Sequence, residues 1–277
     1  MMVNLRMYRV GGSGPGGVLW IGVLLVLLLL GGCATGPNAN PRDPLEPFNR
    51  GVYRFNDALD TAVLKPVATA YRDVLPGPVR RGVGNFFGNL EDAWSFVNNA
   101  LQLKGQAAAE SLVRFGVNTF LGLGGILDVA SEMNIEKHTK DFGHTLGYWG
   151  VAPGPYLVLP LLGPSTLRDT VALPVDMMGD IVSNIEHVPT RNTAKAVRVV
   201  DNRAGLLRVT GLLEEAALDK YSFTRDAFLQ SRRSSIFDGN PPEEEILDAA
   251  PAQQDPARPR ADTLNNSGVS GEERAKP

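Results

Sequence analysis

The chain has 277 residues, with 27 Lys and Arg against 30 Asp and Glu, a net charge of −3, and 43% hydrophobic residues. That acidic balance argues against nucleic acid as a partner, because neutralising phosphates takes a clustered excess of Lys and Arg. One cysteine and three histidines exclude an internal disulfide framework and a Cys-rich zinc site.

Arg6 and Arg9 precede an apolar run over 18–30 that is broken only by Gly22. The run is shorter than the roughly 20 residues a membrane-crossing helix needs, and with its basic start it reads as a secretory signal. Gly12 to Gly17 fits G-x-G-x-x-G, but no strand precedes it and it lies within the signal, so it carries no dinucleotide-binding meaning. The run ends in Leu30-Gly31-Gly32-Cys33. This resembles a bacterial lipobox, in which the cysteine sulfur is acylated and the chain is cut just before it. The reading is a signal over 1–32, a lipid anchor at Cys33 and a polar, proline-containing tether over 33–42. Ala34 after the cysteine favours the outer membrane.

Asp43-Pro44-Leu45-Glu46 predicts a helix start, with Asp43 as the cap and Glu46 closing a capping box. Phe48, Val52, Phe55, Leu59 and Ala62 form one helical face, with Pro66 at its end. Pro76-Gly77-Pro78 breaks the chain. Helical spacing resumes through Val79, Val83, Phe86 and Leu90, then Trp94, Val97 and Leu101, and again through Ala108, Leu112, Phe115 and Thr119. Gly122, Gly124 and Gly125 make an apolar turn that lacks the Lys-Ser/Thr of a phosphate loop. With no long period-2 alternation in this half, the fold class is mainly α.

Residues 142–167 contain no Asp, Glu, Lys or Arg. Their glycines and prolines argue against one continuous spanning helix, since an interior proline costs about 3 kcal/mol. Short extended pieces or an apolar loop fit better. Such a segment is either an irregular core or a surface that dips into lipid. Tyr156, Leu157, Leu159, Leu161 and Leu162 are the candidate lipid-facing residues.

Arg168-Asp169 closes that segment. Arg191, Lys195 and Arg198 share one helical face, and Val197, Val200, Ala204 and Leu207 another, which makes an amphipathic helix. The cationic stripe is either a solvated face or one turned to lipid phosphates. On the second reading Arg168, Asp169, Lys195 and Arg198 are candidate channel-lining residues. A last helix carries Asp219, Tyr221, Arg225, Phe228 and Arg232 and ends near Gly239. The proline-rich acidic tail over 240–277 is expected to be disordered.

No G-x-S-x-G nucleophile elbow occurs, and Cys33 is consumed as the anchor. His138, Asp141 and His144 recur at intervals of three, but without the H-E-x-x-H pattern they read as loop residues rather than metal ligands. No catalytic residue, metal or cofactor is assigned. Three function classes fit: a lipid-translocating component, a structural lipoprotein that scaffolds a porin, and an envelope phospholipid hydrolase.

A run of motifs narrows these. Asp43-Pro44-Leu45-Glu46, Phe48-Asn49-Arg50, Phe55-Asn56, Lys65-Pro66-Val67-Ala68, Asn85-Phe86 and Asn89-Leu90 come first. Arg114-Phe115, Asn118-Thr119, Leu121-Gly122, Gly125 and Asp128-Val129-Ala130 follow. Then come Phe142-Gly143, Thr145-Leu146-Gly147, Trp149-Gly150-Val151, Gly154-Pro155-Tyr156, Leu159-Pro160, Gly163 and Leu167-Arg168-Asp169. Arg203-Ala204, Leu206-Leu207, Asp219, Tyr221, Arg225 and Arg232 complete the series. In this order, over 43–239, they resemble the MlaA (VacJ) family of outer-membrane lipoproteins. The resemblance implies a helical, ring-like domain embedded in the inner leaflet of the outer membrane. It also implies a central channel through which phospholipids leave the outer leaflet for a soluble periplasmic carrier, MlaC, and association with trimeric porins.

Overall fold

A computed structural model of the protein describes residues 40–242. The predicted signal, Cys33, most of the tether and the tail beyond residue 242 lie outside the described residues.

Helix α1 (Glu46–Leu59) runs through a π-helical turn, Asp60–Leu64, straight into α2 (Lys65–Val74). Pro66 therefore does not end the helix, as its position suggested. Proline has no N–H to donate, and the wider π turn just before it, where the Lys65 N–H reaches Asp60 O, absorbs the missing bond. Asp43 also departs from expectation. The residue before α1 is Leu45, which makes no side-chain cap. The Asp43 carboxylate is instead fully buried and accepts from Asn49 Nδ2 at 2.8 Å, from the Tyr221 hydroxyl, and from Arg225 at 3.3 Å. Glu46 pairs with Arg50 at 2.7 Å.

Pro76 precedes α3 (Gly77–Leu101), which folds back on α4 (Gly105–Phe120). The glycine turn then forms as predicted. A side chain at Gly122 would meet Leu127 O at 2.2 Å and Asn118 O at 2.4 Å, so only glycine admits this close a return of the backbone. A single turn, α5 (Val129–Glu132), leads to the charge-free segment, which opens with a short α6 (Phe142–Tyr148). Its second half is an antiparallel hairpin, β1 (Tyr156–Leu159) with β2 (Gly163–Thr166), Tyr156 facing Thr166 and Leu159 facing Gly163. Then come α7 (Leu167–Gly179), a 3₁₀ turn (Ile181–Asn184), the long α8 (Val188–Ala216) and α9 (Lys220–Ile236). The mainly α class holds, and no helix among the described residues is long and apolar enough to cross a membrane.

Two asparagines seat the hairpin. Asn49 donates to Tyr156 O and accepts from Val158 N, both at 2.9 Å. Asn56, two helical turns on, donates to Leu159 O and accepts from Leu161 N, again at 2.9 Å. Their amides stand where a third strand would, so the open edge of β1 is covered by α1. On its other face β1 buries Tyr156 and Val158 with Tyr221 of α9.

Candidate functional site

The side chains are distributed the opposite way to those of a water-soluble domain. Among the described residues, buried polar and charged side chains outnumber buried hydrophobic ones. Helix α3 shows why. Asn89, Asp92, Ser95 and Asn99, with Gln102 at the C-cap, recur at helical spacing and are all buried, while Phe86, Val97 and Leu101 of the same helix are exposed. In α4, Ser111, Arg114 and Asn118 face in, while Leu112, Val113 and Phe120 face out. The apolar periodicity was legible in the sequence. The companion stripe of Asn, Ser, Asp and Gln was its overlooked partner: mostly uncharged polar residues at helical spacing mark an interior face, where solvated faces carry Lys and Glu.

The interior holds three networks. In the first, Arg114 is 2% exposed. It donates to both oxygens of Asp128 at 2.9 and 3.1 Å, to Asp92 at 3.3 Å and to Ile135 O at 2.5 Å. Burial pushes the Asp92 carboxyl up, against the pull of Lys137 and Arg114. Burial acts on Asp128 the same way, but hydrogen bonds from Ser131 and Asn118 and the charge of Arg114 hold it below the usual carboxylate range. Oxygens of Asn89, Asp92, Asn99 and Gln102 are buried without a partner, so this face of α3 keeps unused acceptors.

The second network joins α6, α7 and α9. Arg232 spans Asp141 (2.5 and 2.7 Å) and Asp169 (3.0 Å), and Asp169 also receives Arg168 at 3.0 Å. Asp141 caps α6 in a reciprocal box with His144. Burial would raise the Asp141 carboxyl, but bonds from His144 and Arg232 hold it far below the usual range. Burial pushes the His144 imidazole down, which suits a ring whose Nδ1 accepts from the Asp141 N–H at 3.2 Å. The third network is the Asp43 cluster described above.

The predicted site residues divide accordingly. Arg168 and Asp169 are buried and spent on each other and on Arg232. Arg198 makes a two-pronged pair with Asp180 at 2.8 and 3.0 Å. Lys195 is half-buried. Tyr156, grouped with the leucines as lipid-facing, is fully buried, because strand alternation turns 156 and 158 inward. Leu157 and Leu159 are half-buried. Leu161 and Leu162, 69% and 61% exposed, form the hairpin tip, and Leu161 has φ +66°. His138 turns to a different partner from Asp141 and His144: its Nε2 meets Glu110 at 2.5 Å. Glu110, Glu136 and His138 bring their ligand atoms within 4.8 Å of one another, an arrangement that the hydrogen bond between His138 and Glu110 also explains.

The exposed apolar set extends well beyond the hairpin. It includes Phe120 (86%), Leu121 and Leu123 at the glycine turn, and Val171, Met177 and Met178 on α7. Comparison with known proteins accords with this surface. A family model described as MlaA lipoprotein matches residues 41–235. The chain is 39% identical over 208 residues to a protein of Escherichia coli K12 named intermembrane phospholipid transport system lipoprotein MlaA, covering 73% of this chain and 82% of that protein. The protein of the same name from Haemophilus influenzae is 33% identical over 226 residues, 78% of this chain and 89% of its own. A solved structure reported as "Structural basis for maintenance of bacterial outer membrane lipid asymmetry" aligns with TM-score 0.62 and 38% identity, covering 72% of this chain and 99% of that one.

Proposed function

This chain belongs to the MlaA lipoprotein family, and from that premise we propose that it is the outer-membrane lipoprotein of an intermembrane phospholipid transport system. In this reading it withdraws mislocalised phospholipids from the outer leaflet through a central channel. It passes them to a soluble periplasmic carrier of the MlaC type, which keeps the membrane asymmetric. The acylated Cys33 holds it on the inner leaflet, with a trimeric porin as a further partner.

The inverted side-chain distribution carries this reading. A lipid tail needs an apolar surface and a headgroup needs polar partners, and this fold offers the first outside and the second within. The chemistry asked of the protein is binding and release, with no bond broken in the lipid.

The test is a lipid-asymmetry assay on cells lacking the gene. Phospholipid is expected to accumulate in the outer leaflet and to return to normal when the gene is restored. Unchanged outer-leaflet phospholipid in the deletion strain would sink the reading. Fatty acid released by the purified protein, and abolished by a single Ser, Asp or His substitution, would replace it with a hydrolase.

A further inference from the structure

Two concavities are lined by the same pair of helices, and Arg80 of one stands about one helical turn from Val83 of the other. The first, about 580 Å³, is lined by Pro78, Val79, Val83, Phe86, Ile126 and Val197. Val79, Phe86, Ile126 and Val197 are all exposed, so this groove is open and apolar. The second, about 270 Å³, lies at the start of α3 and is lined by Gly77, Arg80, Arg81, Asp201, Ala204 and Gly205. On α8 the residues concerned, Val197, Asp201, Ala204 and Gly205, share one face. They span eight residues, roughly 12 Å at 1.5 Å per residue.

The small pocket is built for an anion. Among the described residues Arg80 and Arg81 enter no ion pair, and Arg80 Nε is buried with no hydrogen-bond partner. A buried donor left unsatisfied costs roughly 1–3 kcal/mol, and such groups in folded proteins call for an explanation. One acid, Asp201, also lines it, so two arginines face one carboxylate and the pocket keeps a net positive charge. Asp201 accepts from the Tyr71 hydroxyl at 2.8 Å, and burial together with that bond pushes the Tyr71 phenol up to about 12. Gly77 and Gly205 leave open space where side chains would stand.

We propose that the α3/α8 cleft seats one glycerophospholipid, its phosphate on Arg80 and Arg81 and an acyl chain along Val79, Val83, Phe86, Ile126 and Val197. Charge complementarity selects this occupant: an arginine pair suits a phosphodiester, and the adjoining groove offers an apolar lining to a hydrocarbon chain. The proposal rests on the phospholipid-transport reading and adds to it where a lipid is held. Sequence reasoning placed the cations for this task further along, at Arg168, Lys195 and Arg198. Arg198 is paired with Asp180, whereas Arg80 and Arg81 stand beside an apolar groove.

The test uses the full-length protein purified in detergent and a phosphatidylglycerol with a diazirine on one acyl chain. The matching diacylglycerol probe, which lacks phosphate, serves as the second arm. Irradiation is expected to label peptides containing 78–87, 126 and 197. Arg80→Glu with Arg81→Glu should lower labelling by the phosphatidylglycerol about tenfold while leaving the diacylglycerol signal in place. Gly205→Phe fills the small pocket at a position where a Cβ meets no atom within 4 Å. It should give the same loss without altering charge, so that a charge-induced misfold is not mistaken for the effect; melting curves accompany both variants.

Label spread evenly over the exposed apolar surface, or unchanged by both variants, would overturn the seat. So would inorganic phosphate that binds in an Arg80-dependent way while the lipid probe labels elsewhere, which would mark a free-phosphate pocket. A copurifying protein that shields the groove and excludes the probe would likewise overturn it. Any of these results leaves the transport reading to its own assay in cells, where normal lipid asymmetry in the deletion strain is the independent failure.

Discussion

Arg114 shows what a cation demands when it is placed in an interior. It donates five hydrogen bonds to four residues, Asp92, Asp128, Ser131 and Ile135. Arg114→Met removes the donor and leaves two acids behind, one of them as buried as the arginine. Breaking a buried pair this way costs about 3–5 kcal/mol, which denaturant melting of the variant should register at neutral pH. The sign of the pH response follows from Asp92. Its folded pKa is raised, so ionising it costs the native state more than the unfolded chain, and that penalty grows as pH rises above the unfolded value. The variant should therefore regain stability on mild acidification, and adding Asp92→Asn should recover part of the loss at neutral pH. If neither change helps, the loss lies in packing rather than in uncompensated charge. Arg114 and Asn118 were visible in the sequence as members of a motif. That they faced inward was not, because spacing shows which residues share a side of a helix and not what that side meets.

At the scale of elements the hairpin is the informative case. The sequence predicted short extended pieces broken by Gly and Pro, and the structure shows two four-residue strands. Asn49 and Asn56 could not be assigned there in advance, since the edge they cover lies about a hundred residues away. Pro66 misled for a related reason: a proline normally ends a helix, and here a π turn one residue earlier gives it room. The hairpin tip carries the element's prediction. Leu161 in a left-handed conformation is uncommon for a residue without a turn-forming side chain, and its side chain packs on little. Asparagine adopts that conformation readily. Leu161→Asn with Leu162→Asn should therefore leave thermal stability within about 0.5 kcal/mol per site. If the tip enters lipid, the pair should weaken vesicle flotation at least tenfold, because burying one leucine is worth about 1.5–3 kcal/mol. A collapsed melting temperature would make the tip part of the core instead.

For the whole molecule, two sources of membrane affinity are proposed, the acyl chains at Cys33 and the apolar exterior. They can be separated. Cys33→Ser removes the acylated thiol and is expected to leave unprocessed precursor in cells and to fail to complement a deletion. The body from residue 40 onward still carries its exposed Phe120, Leu121, Leu123 and Met178, so the purified variant should still float with vesicles, more weakly than the acylated form. Normal outer-membrane fractionation and full complementation by Cys33→Ser would show that the anchor is dispensable.

The polar interior has a thermal consequence. Unfolding an ordinary domain hydrates apolar surface and raises the heat capacity by about 12–15 cal/mol/K per residue, which bends its stability curve into a dome. Here much of the apolar surface is outside already, and in a micelle, where detergent stays on it, unfolding hydrates little of it. The groups released from within, such as Asn89, Asp92, Asn99, Gln102 and Arg114, are polar, and hydrating them lowers the heat capacity. The two contributions work against each other. The stability of this fold in a micelle should vary little with temperature: cooling gains it almost nothing, and it stands far from cold denaturation.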